Sequence, residues 1–176
     1  KYRIVTSKTL FAMPECGIGL FPDVGTTYTL NQLPGAIGSY LGLTGRRLNG
    51  QECLYSSIGT HFTSEPAQLI KTLESTSDIV NQLDSILSLH CPTPDVSKCS
   101  LAQNRHFIDI SFNSSSISSL FDSLRSHSVS KDSSMASWAS KELKDLSMKS
   151  PTSLELTHRL LSLNRNRSLS DCMTVE

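Results

Sequence analysis

Long apolar runs are missing from this chain, and so is an excess of charge of either sign. No stretch of about 20 apolar residues occurs, so no transmembrane helix is expected. Lys plus Arg and Asp plus Glu number 16 each, and charged residues make up only 18% of the chain. This balance gives no argument for attraction to nucleic acid or to an anionic membrane.

Paired cysteines are also missing. The five cysteines are scattered, their number is odd, and no C-x-x-C pair occurs. This pattern favours reduced thiols inside a cell over a disulfide framework. The group His90, Cys91, Cys99 and His106 matches no standard zinc-finger spacing, and two prolines interrupt it. We therefore predict no metal site.

The hydrophobic pattern changes character near residue 63. Before it, the sequence predicts short strands within 2–6 and 9–13 and at 61–62, and a helix that Asp23 would cap. After it, apolar residues recur at helical spacing. The predicted helices cover 66–75, 78–89, 116–126 and 132–147, and a further one begins at Ser150–Pro151. We predict a β-containing part, 1–63, followed by a helical region, 64–176.

The most informative segment is 11–25, FAMPECGIGLFPDVG. It places two carboxylates, Glu15 and Asp23, in an apolar stretch that prolines and glycines break into turns. Burying a carboxylate costs several kcal/mol unless it is paired. The segment therefore indicates a functional site. The alternatives are that Asp23 only caps a helix and that Glu15 only pairs with a basic side chain.

This segment resembles the signature of the 3-hydroxyisobutyryl-CoA hydrolases, within the enoyl-CoA hydratase/isomerase (crotonase) superfamily. The similarity extends over 3–62, including LPGAIG at 33–38 and YLGLTG at 40–45, and it returns at 149–154 and 173–176. The middle of the chain is similar only in its helical character. The resemblance implies an α/β fold: a partial crotonase-like ββα spiral with a mainly α-helical C-terminal region.

The resemblance also implies a reaction, the hydrolysis of a coenzyme A thioester in mitochondrial valine breakdown. Glu15 corresponds to the acid that acts on the thioester carbonyl or activates water. Asp23 corresponds to a second acid that helps to bind and position the substrate, and both residues are predicted to be catalytic and substrate-binding. No separate cofactor is expected, because coenzyme A is part of the substrate.

Two other functions stay open at this point. Relatives of these hydrolases also occur as small-subunit proteins of some mitochondrial ribosomes, and a hydratase or isomerase would keep the fold and change the reaction. The resemblance allows a homo-oligomer. Both ends of the chain look cut, and the family's oxyanion-hole residues would lie upstream of Lys1. We therefore expect a fragment of a larger protein that is inactive alone.

Overall fold

A computed structural model describes all of residues 1–176. The strands are β1 (Ile4–Thr6), β2 (Leu10–Phe11), β3 (Leu48–Asn49) and β4 (His61–Thr63). The helices are α1 (Thr26–Asn31), α2 (Ile37–Thr44), α3 (Gly50–Tyr55), α4 (Pro66–Ser75), α5 (Ile79–His90), α6 (Ser100–Gln103), α7 (Arg105–Phe112), α8 (Ile117–Ser128), α9 (Ser133–Ser147), α10 (Pro151–Leu163) and α11 (Leu169–Val175). Short 3₁₀ helices lie at Glu15–Gly17 and Val96–Lys98. None of the helices combines the length and the apolar character that crossing a lipid bilayer requires.

The chain forms two compact units, and each is made from two separate segments. The first unit contains residues 1–11 and 48–103, and the second contains 12–47 and 104–176. Strands end at Thr63 and only helices follow, as the sequence predicts. Each unit nevertheless combines residues from both sides of that point, so a domain boundary between 63 and 64 stays a prediction.

Two pairs of short strands organise the first unit. Strand β1 pairs with β4 in parallel, with Val5 opposite Phe62. Strand β2 pairs antiparallel with β3, with Leu10 opposite Asn49. Helix α3 then begins at a capping box. The Asn49 side chain accepts from the Glu52 amide at 3.0 Å, and the Glu52 carboxylate accepts from the Asn49 amide. Strands β1 and β2 are shorter than the sequence predicts, whereas β4 extends one residue further, to Thr63.

Helices α4 and α5 supply the apolar cluster of the first unit. Both form where the amphipathic pattern predicts them, and both bury residues from one face only. The cluster consists of Leu69, Ile86, Leu87 and Cys91, with Tyr2, Leu73 and Leu83 packed against it.

Helix α2 lies at the centre of the second unit. All of its residues except Ser39 are buried. Its Tyr40 ring makes an edge contact with Phe112, with ring centroids 4.9 Å apart, and lies 6.4 Å from Trp138. Helices α7 and α9 therefore pack on α2 through aromatic side chains. Helix α2 is the second helix after the segment with the two carboxylates.

The predicted helix after Asp23 forms, but the predicted cap is wrong. Helix α1 begins at Thr26, its N-cap is Gly25, and no side chain of the cap residue bonds to the first turn. Val24 at φ 52° and Gly25 at φ 77° both adopt left-handed conformations. This turn separates Asp23 from the helix, so its carboxylate is left exposed.

Candidate active site

Glu15 lies in a single tight turn that begins at Pro14. The Gly17 amide donates to the Pro14 carbonyl at 2.8 Å, and the Glu15 carbonyl accepts from Ile18 and Leu20, both at 3.0 Å. Proline suits the start of such a turn, because it has no amide hydrogen that would need a partner. The backbone that carries Glu15 is therefore held by its own hydrogen bonds.

The Glu15 carboxylate is only half-buried, but one of its oxygens is enclosed. Oε2 is buried and has no hydrogen-bond partner. A buried acceptor that lacks a partner costs about 1–3 kcal/mol. Buried polar atoms are nearly always paired, so an exception requires an explanation in terms of water, ligand or chemistry.

Cys16 anchors this turn to two helices. Its thiol donates to the Gly42 carbonyl at 3.3 Å and lies 3.2 Å from the Thr157 hydroxyl. Its carbonyl accepts from the Ser150 amide at 3.0 Å. Burial, with help from the Glu15 charge, raises the pKa of the Cys16 thiol, against the Thr157 hydrogen bond and the Lys149 charge. Cys16 therefore stays a neutral thiol and acts as a structural anchor for this turn.

The segment from Glu15 to Val24 exposes three apolar side chains. Ile18, Leu20 and Val24 are 69%, 55% and 80% exposed. Asp23 is exposed beside them, and its carbonyl accepts from the Thr26 amide at 3.0 Å. Exposed apolar groups in one short segment are typical of binding surfaces. Glu15 and Asp23 both lie in this segment, within the same compact unit.

A carboxylate from the far end of the chain closes the turn after Asp23. Glu176 Oε2 accepts from the Gly25 amide at 2.5 Å, and Oε1 accepts from the Thr27 amide at 3.1 Å and from the Thr27 hydroxyl. Sequence reasoning did not assign a role to Glu176, because about 150 residues separate it from these partners. The only available signal was the resemblance of 173–176 to the family.

Other candidate ligands do not assemble. No group of three or more His, Cys, Asp or Glu side chains is arranged to hold a metal ion. All five cysteines are free and buried. His61 is half-buried, and its Nδ1 lies 2.9 Å from the Thr60 hydroxyl. The catalytic and substrate-binding roles of Glu15 and Asp23 stay predictions, which the arrangement described above supports.

The fold and the sequence define the class of protein. The profile of the enoyl-CoA hydratase/isomerase family matches residues 1–176. A crystal structure of a carnitinyl-CoA dehydratase from Mycobacterium thermoresistibile superposes with a TM-score of 0.83 at 27% identity, covering 98% of this chain and 48% of that one. The chain belongs to the enoyl-CoA hydratase/isomerase family, and the predicted crotonase-like α/β fold with a helical C-terminal part is confirmed.

Similar curated proteins are hydrolases within this family. The mitochondrial 3-hydroxyisobutyryl-CoA hydrolase of Xenopus tropicalis is 37% identical over 99% of this chain and 45% of its own length. A probable 3-hydroxyisobutyryl-CoA hydrolase of Arabidopsis thaliana is 33% identical over 100% of this chain and 47% of its own. The chain therefore spans about half the length of the curated relatives that it matches.

Proposed function

We propose that the protein to which this chain belongs hydrolyses the thioester of 3-hydroxyisobutyryl-CoA, in mitochondria. The observation that carries the proposal is the buried, unpartnered Oε2 of Glu15. Similarity to proteins named for this reaction, several of them also named mitochondrial, supports the substrate and the location. No cofactor is required, because coenzyme A enters as part of the substrate.

Glu15 is suited to act on the thioester or on the attacking water. An enclosed carboxylate oxygen without a protein partner is free to accept a proton from water or to approach the carbonyl carbon. With water as nucleophile, its oxygen bonds to the carbonyl carbon, one proton passes to Glu15, and the C–S bond breaks. The departing sulfur then takes up that proton, which releases free coenzyme A and the hydroxy acid.

Asp23 is suited to bind the substrate. It is exposed at the end of the loop that begins at Glu15, next to the exposed side chain of Val24. A carboxylate at this place can accept a hydrogen bond from the hydroxyl group of the acyl chain while the apolar side chains contact its carbon atoms. This arrangement would fix the thioester relative to Glu15.

Release of coenzyme A by the full-length protein tests the proposal. Free thiol is measured with 3-hydroxyisobutyryl-CoA as substrate, for the wild type and for Glu15→Gln. Removing the base while keeping the size of the side chain should lower kcat by about 10²–10⁴-fold, the usual contribution of such a group. Glu74→Gln, an exposed glutamate on α4, is the matched control and should leave the rate unchanged. Absence of release, or release that Glu15→Gln leaves unchanged, overturns the proposal.

A hydratase is the second candidate, because the superposed crystal structure is that of a dehydratase. Water addition to crotonyl-CoA is measured with the same preparation. If hydration is faster than thioester cleavage, the protein is a hydratase.

The ribosomal role stays a prediction from the resemblance. Sedimentation with the small subunit of mitochondrial ribosomes, together with no coenzyme A release, would replace the enzyme by that binding role.

A further inference from the structure

We infer that Glu176 is a positioning residue that sets the place of Asp23. Its carboxylate accepts from the amides of Gly25 and Thr27 and from the Thr27 hydroxyl. The inference rests on the proposed function, since it concerns a residue of the proposed site. It assigns a catalytic consequence to a side chain that lies about 150 residues away in sequence.

The turn that Glu176 closes needs a partner from outside. The first amides of any α-helix have no acceptor within the helix. Gly25, the N-cap of α1, has no side chain, so it cannot provide one. Val24, just before it, is a β-branched residue at a positive φ of 52°, a conformation that persists only when the surroundings enforce it. Glu176 supplies the missing acceptor and the negative charge that a helix N-terminus favours.

Helix α11 brings Glu176 to this turn by direct packing. A Cβ atom on Gly25 would lie 2.6 Å from Leu169 Cδ1 and 3.4 Å from Met173 Cγ. The turn therefore packs against α11, and a side chain at Gly25 would displace Leu169 and would be strained at φ 77°. One face of α11 covers the turn, and the carboxylate of the residue that follows the helix accepts hydrogen bonds from it.

A directed chain of hydrogen bonds fixes the Thr27 hydroxyl. Asn164 Nδ2 donates to Thr27 Oγ1 at 2.8 Å, and that hydroxyl in turn donates to Glu176 Oε1. Thr27 and Asn164 are both buried, so water does not compete for these bonds. The three polar groups act as one network, in which a change at Glu176 alters the bonds of both others.

The position of Asp23 depends on this network through the backbone. Asp23 lies two residues before Gly25, and its carbonyl accepts from the Thr26 amide. If the Gly25 and Thr27 amides lose their acceptor, the Val24–Gly25 turn is free to relax and the Asp23 carboxylate shifts. Loss of Glu176 should therefore act on the reaction only through Asp23.

A double-mutant cycle in the full-length protein tests this dependence. Glu176→Gln should lower kcat/KM for 3-hydroxyisobutyryl-CoA about 10-fold or more, and Asp23→Asn should lower it to a similar degree. The double variant Asp23→Asn/Glu176→Gln should be no worse than Asp23→Asn alone. If the loss of kcat/KM in the double variant equals the product of the losses in the two single variants, Glu176 acts independently of Asp23 and the inference is overturned.

Amide hydrogen exchange separates this inference from the proposed function. In Glu176→Gln, exchange over residues 24–28 should speed up, whether or not the protein releases coenzyme A; unchanged exchange overturns the inference. Asp171→Asn is the matched control on α11, because its carboxylate bonds within its own first turn, to Ser168. If Glu176→Gln fails to fold, Glu176→Asp keeps the charge with a shorter reach. It should give intermediate exchange and activity, and wild-type values for both would contradict the inference.

Discussion

A methyl group added at Gly38 should destabilise the protein, whereas one added four residues later should not. Gly38 and Gly42 lie one helical turn apart on the same face of α2. A Cβ on Gly38 would lie 2.0 Å from the Leu30 carbonyl oxygen and 2.7 Å from its carbon. These are backbone atoms, so α1 and α2 would have to move apart by more than about 1 Å to restore ordinary contact.

The same methyl group at Gly42 would meet only side chains. Its nearest neighbours would be Leu30 Cδ1 at 3.1 Å, Thr157 Cγ2 at 3.4 Å and Leu161 Cδ1 at 3.5 Å. Overpacking a core costs about 1–3 kcal/mol, and alanine favours a helix over glycine by about 1 kcal/mol. Gly38→Ala should therefore lose about 2 kcal/mol, and Gly42→Ala should stay within about 1 kcal/mol of the wild type.

Thermal and urea unfolding of the full-length protein measure the difference. Gly38→Ala should show a lower melting temperature and a lower urea midpoint than both the wild type and Gly42→Ala, and the urea data should give a difference of about 2 kcal/mol. Gly42→Ala is the matched control, because both substitutions have the same effect on helix propensity. A Gly38→Ala variant as stable as Gly42→Ala would refute the close approach of α1 to α2, and with it the placement of the turn that carries Asp23.

Two further predictions concern the buried pair Tyr40 and Glu142 in the second unit. Tyr40→Phe removes a hydroxyl that donates to Glu142 Oε1 at 2.9 Å and accepts from Arg46 at 3.2 Å; unfolding in urea should show a loss of about 1–3 kcal/mol, and an unchanged midpoint would contradict the bond. Burial raises the pKa of Glu142, so the folded protein holds this proton more readily than the unfolded chain does. Its stabilising contribution is present below the ordinary pKa of the carboxyl and is lost as pH rises through the raised one. We therefore expect the free energy of unfolding of Glu142→Gln to rise relative to that of the wild type between about pH 4 and 7. A difference between the two that stays constant with pH would refute this.

Features encoded by neighbouring residues were predictable from the sequence. The amphipathic spacing predicts α4, α5, α8 and α9 to within two residues at each end. Helix α10 begins at Pro151 with Ser150 as its cap, as predicted, because both signals lie at the helix start itself. The segment 11–25 likewise identified the proposed site, since two acids in an apolar stretch are visible without any structure.

Features that depend on distant partners were not predictable. Asp23 is a residue type that commonly caps helices, but the left-handed turn at Val24 and Gly25 separates it from α1. The Glu176 carboxylate accepts from the amides at the start of the helix instead. The burial of the unpaired Oε2 of Glu15 is likewise a property of the folded chain and not of its local sequence. A local pattern records the preference of a residue, whereas tertiary packing decides whether that preference is realised.

The interleaving of the two units has a consequence for biosynthesis. Residues 12–47 leave the ribosome before all of 48–103, yet the helices that cover them lie in 104–176. At a synthesis rate of roughly 5–20 residues per second, α1 and α2 remain without these partners for on the order of several seconds. During that time Leu30, Tyr40 and Leu41, all fully enclosed in the finished protein, are open to chaperones and to other nascent chains. Slower translation of 48–103 should therefore lower the yield of native protein, and a holdase chaperone should restore it.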